Sequence, residues 1–205
     1  MNEKPKVEKE VRNIILPIEI RAEESDDNKK AIVGYAAIYN SPTTIRDWWG
    51  DEFLEEIAQG AFEKSLNEDN VRALYNHNPD HILGATKSGT LKLISDSKGL
   101  RYELELPNTQ VANDLYESVK RKDIEGNSFG FKVRSDVWSK VEQEGKEIMK
   151  RTLTDVKLIE ISPTPFPAYS DTEVDCRSLE EFRNSSVNTE MEIRKQKLNI
   201  ILKTL

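Results

Sequence analysis

Short apolar segments separated by polar turns follow one another along most of the chain. Segments of this length that are rich in Ile, Val, Leu and Tyr are typical of β-strands. After the last apolar segment, residues 156–161, the chain contains Pro163, Pro165 and Pro167. We expect strand pairing to end there, because proline has no N–H to donate. Strands are predicted at residues 14–20, 31–39, 71–75, 126–133 and 156–161.

The clearest pattern is an alternation of apolar and polar residues on both sides of the turn segment 96–99. Leu91 and Leu93 precede this turn, and Leu100, Tyr102 and Leu104 follow it. A period of two with a glycine-containing turn predicts a β-hairpin with one apolar face.

Helical spacing is found in three segments. Thr109 can cap a helix after Pro107, and the apolar stripe of this helix is Val111, Leu115 and Val119. The segment 53–66 is predicted to enter a short helix around Gly60. The C-terminal segment is predicted to be an amphipathic helix, with an apolar stripe at Leu198, Ile201, Leu202 and Leu205.

Many strands and few helices predict a mixed α+β domain with an antiparallel β-barrel or a twisted antiparallel sheet. We expect a flexible N-terminus at residues 1–12, a folded domain at 13–180, and a polar linker with the C-terminal helix at 181–205. The length of 205 residues suits one such domain with a short tail.

Charge and cysteine content exclude several classes of function. Lys and Arg number 30 and Asp and Glu number 37, so the net charge is −7 and the chain is not expected to bind nucleic acid. No apolar stretch approaches the ~18 residues of a membrane span, so no membrane association is expected. The single cysteine, Cys176, excludes an internal disulfide framework, and we expect a soluble protein of a reducing cytoplasm.

The two histidines, His77 and His81, are the first candidates for chemistry. A spacing of four could hold a metal on one helix face, but Pro79 lies between them and makes such a helix improbable. His77 follows a predicted strand, where catalytic groups often lie, so a general base is one interpretation and a surface histidine in a turn is the other.

Ser128 and Glu160 have unusual surroundings. Gly126 and Gly130 flank Ser128 in a G-x-S-x-G pattern, which leaves a nucleophilic oxygen accessible, although the pattern leads into a strand and could equally mark a glycine-bounded edge strand. Glu160 lies in an apolar strand, and a buried carboxylate needs a partner. His77 could be that partner in a Ser-His-Glu triad, while a solvent-facing glutamate or a salt bridge to Arg151 or Lys157 is the alternative.

Five segments, in order, resemble the prohead maturation proteases of tailed bacteriophages, which are distant relatives of the herpesvirus assemblin proteases. They include an I-x-x-G-A-F segment, a histidine motif, a serine motif and a terminal E-x-S…P-A-Y motif. The segments are residues 34–40, 56–62, 74–79 with 83–84, 127–131, and 158–162 with 166–169.

The resemblance implies a serine endopeptidase without a cofactor or a metal, built as an assemblin-like β-barrel surrounded by a few helices. By motif matching, Ser128 is the nucleophile, His77 the base and Glu160 the orienting acid. The resemblance further implies action in the host bacterial cytoplasm inside the immature capsid, on the major capsid protein precursor or the scaffold protein, with self-cleavage. By analogy with the assemblins, a homodimer is expected.

Two other functions remain open from the sequence. The chain could be a non-catalytic module for capsid assembly or scaffold binding, because the C-terminal apolar stripe suits a partner helix. It could also be a zinc hydrolase, which metal analysis would test. The donors of an oxyanion hole are not identified, although a backbone N–H near Ser128 or the region of Arg151 could serve.

Overall fold

The computed structural model describes residues 9–22, 30–46, 52–143 and 145–165, which contain eleven strands and two helices. The strands are β1 (Glu10–Ile15), β2 (Glu19–Ala22), β3 (Lys30–Ile38), β4 (Thr43–Arg46), β5 (Glu52–Ile57), β6 (Arg72–Tyr75), β7 (Asn78–Ala85), β8 (Leu91–Ser95), β9 (Gly99–Glu105), β10 (Gly126–Gln143) and β11 (Lys146–Thr164). The helices are α1 (Glu63–Glu68) and α2 (Gln110–Lys120).

The strands form a seven-stranded and a four-stranded sheet. In the larger sheet the order is β1-β10-β11-β5-β4, and β11 also pairs with β6, which pairs with β7. The smaller sheet has the order β2-β3-β9-β8. This is the α+β class predicted from the sequence. No closed barrel is found among the described strands, so barrel closure stays a prediction.

Long antiparallel strands β10 and β11 are the centre of the larger sheet and carry the candidate serine and glutamate. One part of β11 pairs in parallel with β5, from Lys150 to Leu153, and a later part pairs in parallel with β6, at Glu160 and Ile161. β6 therefore brings the segment around His77 to the end of β11 that carries Glu160.

The core is apolar and is filled from both sheets and from α2. Phe129 of β10 lies between Phe62 and Phe131, with ring centroids 5.9 and 5.2 Å away. Full burial of a side chain of this size contributes roughly 1.5–3 kcal/mol. The largest fully buried side chains are Tyr102, Phe53, Phe62, Phe131, Ile32, Leu83, Leu100, Leu104, Leu115, Leu153, Leu158 and Ile161.

Local chemistry predicted two features well. The predicted hairpin is β8–β9, and the Asp96 side chain closes its turn by accepting the N–H groups of Lys98 and Gly99. Thr109 caps α2 by accepting the N–H of Ala112. The buried residues of α2 are Ala112, Leu115 and Val119, and Val111 of the predicted stripe is half-buried beside them.

Other boundaries differ from the prediction. Phe53 and Glu55 are buried on one face of a strand, β5, and only Glu63–Glu68 is helical, because Gly60 turns the chain with φ of +90°. The predicted strand 14–20 is divided into β1 and β2 around Pro17. Residues 10–12, which the sequence assigned to a flexible terminus, lie in β1.

Pro163 does not end β11, contrary to the prediction. It lies opposite Asn127 in the register with β10, and its carbonyl accepts the N–H of Asn76 on the other side of the strand. A backbone N–H at Pro163 would point to that same side, away from β10. Its absence therefore removes no hydrogen bond between β11 and β10. The predicted polar linker and C-terminal helix at 181–205, Cys176 and residues 166–169 of the terminal motif lie outside the described residues.

Candidate active site

His77 is held in a two-residue turn between β6 and β7. Both turn residues have left-handed backbone angles, with φ of +49° for Asn76 and +59° for His77, which is the pattern of a type I′ hairpin turn. Residues other than glycine are uncommon in this conformation, although asparagine and histidine adopt it more often than most, and such residues cluster at functional sites. The strand β7 begins directly at Asn78.

Three hydrogen bonds tie this turn to the end of β11. The N–H of Asn76 donates to the carbonyl of Pro163 over 3.1 Å, and the Thr164 hydroxyl donates to Asn76 Oδ1 over 2.9 Å. The N–H of His77 donates to Ser162 Oγ over 3.2 Å. The end of β11 therefore fixes the position from which the imidazole extends.

The imidazole of His77 binds the buried carboxylate of Glu160. Nδ1 of His77 lies 2.7 Å from Oε1 of Glu160, and the Ser162 hydroxyl donates to Oε2 over 2.8 Å. Lys9 Nζ is an additional partner of Oε1 at 2.9 Å. The side chain of Glu160 is only 2% exposed, whereas that of His77 is 26% exposed, so the imidazole is partly open to solvent.

The charge state of Glu160 follows from these contacts. Burial by itself would raise the pKa of Glu160, but the hydrogen bonds and charges of His77 and Lys9 outweigh it, and the net pKa is lowered. The group is therefore a carboxylate at neutral pH. A carboxylate at Nδ1 holds the proton of the ring there and leaves Nε2 as the nitrogen that can accept one.

Gly130 makes room for this carboxylate. It lies opposite Glu160 in the β10–β11 register. A Cβ atom at this position would collide with Glu160 Oε1 and with the side chain of Lys9. The second glycine of the G-x-S-x-G pattern therefore serves the packing of Glu160.

Ser128 lies on the same face of the sheet as Glu160. It is opposite Ser162 in β11, and Ser162 is two residues from Glu160, so these side chains share one face. The Ser128 hydroxyl donates to the carbonyl of Arg12 in β1 over 2.9 Å, and Ser128 is fully buried. In this arrangement the serine hydroxyl is bonded to β1 and not to the imidazole.

The alternative partners proposed for Glu160 are engaged elsewhere. Arg151 is 3% exposed and binds Glu10, Glu55 and Asp136, and Lys157 pairs with Asp69 at 3.5 Å. The alternative prediction of a salt bridge from Glu160 to Arg151 or Lys157 is therefore wrong. Lys9, the observed partner, was missed because it lies in a charged segment that reads as flexible.

The second histidine is separate from this site. His81 stacks on Tyr75 with ring centroids 6.3 Å apart, and Asn78 Nδ2 lies 3.4 Å from its Nδ1. In the described ranges, no cluster of three or more His, Cys, Asp or Glu side chains could hold a metal ion. None of the helices described here is long and apolar enough to cross a membrane.

Sequence reasoning also missed the supports of the histidine. Asn76, Ser162 and Thr164 act through contacts between β11 and the turn, more than 80 residues apart in sequence. The signal that could have identified the turn is Asn76 itself, since asparagine is favoured at left-handed positions.

A carboxylate–imidazole pair beside a serine is the arrangement from which acyl transfer by a serine nucleophile can proceed. Comparison with known proteins bears on this chemistry. Residues 17–185 match the sequence profile of the caudovirus prohead serine proteases, a match that covers most of the chain. No curated protein matches the chain.

Among solved structures, the capsid assembly protease gp21 of bacteriophage T4 is similar at 13% identity, with a TM-score of 0.44. The similarity covers 74% of this chain and 96% of the T4 protein. The family assignment depends on the sequence profile, which extends over both strands of the candidate site, β10 and β11, and over the histidine turn. The chain therefore belongs to the caudovirus prohead serine protease family.

Proposed function

We propose that this chain is a serine endopeptidase that cleaves a capsid or scaffold precursor during prohead maturation, with Ser128 as nucleophile, His77 as base and Glu160 as the orienting acid. The observation that carries the proposal is the 2.7 Å bond between His77 Nδ1 and Glu160 Oε1, on the sheet face that Ser128 shares. Membership of a serine protease family supports the reaction class.

The mechanism is acyl transfer. The Ser128 hydroxyl turns from the Arg12 carbonyl toward His77 and attacks the scissile carbonyl carbon while Nε2 of His77 takes its proton. Glu160 stabilises the imidazolium that forms. His77 then returns the proton to the leaving amine, and water, activated by the same nitrogen, releases the acyl group from Ser128.

The family supports a proposal for the biological setting. The substrates are the major capsid protein precursor, the scaffold protein or both, and cleavage takes place inside the immature capsid in the host cell. Self-cleavage, a homodimer and closure of the two sheets into a barrel belong to the same proposal, and no cofactor or metal takes part.

Co-expression with the capsid precursor of the same phage tests the proposal. Intact mass of the precursor is measured with the unaltered chain, with Ser128→Ala and with Ser139→Ala. Ser139 is a matched control because it lies on the same strand β10, opposite Lys150 and far along the ladder from the site. We expect processing by the unaltered chain and by Ser139→Ala and none by Ser128→Ala, and processing by a folded Ser128→Ala chain would refute the role of this serine.

A non-catalytic assembly module is the second candidate. The observation that favours it is the full burial of Ser128, whose hydroxyl is engaged by Arg12. A serine-reactive phosphonate applied to the chain co-expressed with its precursor separates the two functions, because a protease forms an adduct at Ser128 and a binding module forms none.

A further inference from the structure

The strand β1 lies directly beside Ser128 at the edge of the larger sheet. It pairs antiparallel with β10 from Glu10 opposite Phe131 to Ile15 opposite Gly126, and it forms the edge of the sheet. Asn13 is directly opposite Ser128, and the preceding carbonyl, that of Arg12, accepts the Ser128 hydroxyl over 2.9 Å. An extended peptide with a carbonyl against the nucleophile is how a protease holds a scissile segment.

The side chains of β1 alternate between two environments. Lys9 reaches Glu160 on the face of the candidate triad. Glu10 and Arg12 point to the opposite face, where both are buried. An occupant of this edge thus presents every second side chain to the buried groups on that opposite face.

Those buried groups form a charged socket made by Glu55 of β5 and Arg151 of β11. Arg12 binds Glu55 through two bonds, Nε to Oε1 at 2.5 Å and Nη2 to Oε2 at 2.9 Å. Glu10 binds Arg151, with Oε2 3.1 Å from Nη1, and also Arg12 at 2.6 Å. Glu55 and Arg151 also bind each other, with Oε2 3.1 Å from Nη1, and Arg151 binds Asp136 as well. Departure of β1 therefore leaves neither group without a partner, but it removes both bonds from Arg12 to Glu55, and an occupant with the same charges would restore them.

The charged groups around Arg12 and Glu55 keep both side chains ionised. Burial alone would lower the pKa of Arg12, but Glu55 and Glu10 outweigh it and the pKa is raised. Burial alone would raise the pKa of Glu55, but Arg12 and Arg151 outweigh it and the pKa is lowered.

The strand β1 precedes residues 17–185, which match the family, whereas Glu55 and Arg151 lie within the matched residues.

We propose that β1 occupies the substrate edge of β10 with Arg12 in the position of the residue whose carbonyl is attacked. Glu55 would then select a basic residue before the cleaved bond, and Arg151 an acidic residue two positions earlier. This inference rests on the proposed function. In β1 the oxygen of the Arg12 carbonyl, and not its carbon, faces the hydroxyl, so the bond after Arg12 is held intact. β1 leaves the edge before a substrate segment takes its place.

The first test is the position of the cleaved bond in the co-expressed precursor, mapped by mass spectrometry of the products. We expect Arg or Lys before the bond. The precursor is then altered at this residue to the other basic residue, to Gln and to Glu. The basic exchange should be cleaved at a similar rate and the other two at least about tenfold more slowly, because Glu55 then lacks the charged partner that a basic residue supplies.

The second test is Glu55→Gln against Glu56→Gln. Glu56 is a matched control because it is the next residue of β5 and binds Lys150 and Thr152 instead of the socket. Glu55→Gln should narrow the difference in cleavage rate between the basic and the Gln precursor, and Glu56→Gln should leave it unchanged. If Glu55→Gln does not fold, the cleavage rates of the precursor series with the unaltered enzyme decide whether a basic residue before the bond is selected.

The outcomes separate this inference from the function on which it rests. Ser128-dependent cleavage after a neutral or acidic residue, or equal rates across the precursor series, overturns the socket and leaves the protease intact. Absence of Ser128-dependent cleavage overturns the proposed function itself. An unchanged rate difference in folded Glu55→Gln shows that the carboxylate is structural and overturns its role in selection.

Discussion

The hydroxyl of Ser128 donates its hydrogen bond to the carbonyl of Arg12, 2.9 Å away on the neighbouring strand. The imidazole of His77 is meanwhile bonded to Glu160, with its Nε2 left to accept a proton. Under the proposed mechanism, the base and the acid are thus assembled while the nucleophile is held by β1. We infer that the proposed site becomes complete only when the Ser128 hydroxyl turns to His77 and β1 leaves the edge of the sheet.

Ser162 is expected to be a positioning residue of the site. Its hydroxyl donates to Glu160 Oε2 and accepts the N–H of His77, so Ser162→Ala removes a support of both groups. Precursor cleavage should fall about tenfold in kcat with KM little changed, since a displaced base slows the chemical step. Ser162→Thr, which keeps the hydroxyl, should recover most of the rate, and a rate as low as that of Ser162→Ala would count against positioning.

Gly130→Ala should damage the site through Glu160. The added Cβ would collide with the Glu160 carboxylate and with Lys9, so the carboxylate must move from His77. We expect cleavage to fall at least about tenfold, as for other misplacements of about 1 Å. Gly145→Ala is the control, because its Cβ meets no atom and only its left-handed backbone, with φ of +75°, is strained. Equal activity of the two variants would contradict the packing role of Gly130.

Lys9 is expected to stabilise the fold against unfolding at acid pH. The pKa of Glu160 is lowered in the folded chain, so its carboxylate contributes stability that is present above the ordinary pKa of 4.5 and is lost as the pH falls through the folded value. Lys9→Met removes one lowering interaction and should raise the pKa of Glu160. The acid unfolding midpoint, followed by circular dichroism, should move to higher pH, whereas the exposed-site control Lys87→Met should not move it.

Local signals predicted the parts of the fold that depend on nearby residues. The β8–β9 hairpin and the Thr109 cap follow from alternation and from one side-chain oxygen. The continuation of β11 through Pro163 could not be predicted, because it depends on which side of the strand the missing N–H faces. That side is set by the distant partners Asn76 and Asn127.

The three residues of the candidate site could be proposed from the sequence, whereas the contacts around them could not. His77, Ser128 and Glu160 lie within family motifs, whereas Lys9 and Arg12 lie in a charged segment that reads as solvated. Arg12 is buried because Glu55, 43 residues away in β5, binds it, and because Glu10, its other partner, is bound by Arg151, 141 residues away in β11. Pairing of buried charges between distant strands cannot be recognised from the local composition of the chain.

The central claim is that Ser128 and His77 act as one catalytic unit. The most direct measurement is the rate of precursor cleavage by Ser128→Ala, His77→Ala and the double variant, each with its fold verified by circular dichroism. Residues that act as a unit have non-additive effects, so we expect each single variant to lose at least about a thousandfold and the double variant to be no slower than either. Cleavage at the normal rate by either folded single variant, or losses that multiply in the double variant, would contradict the account.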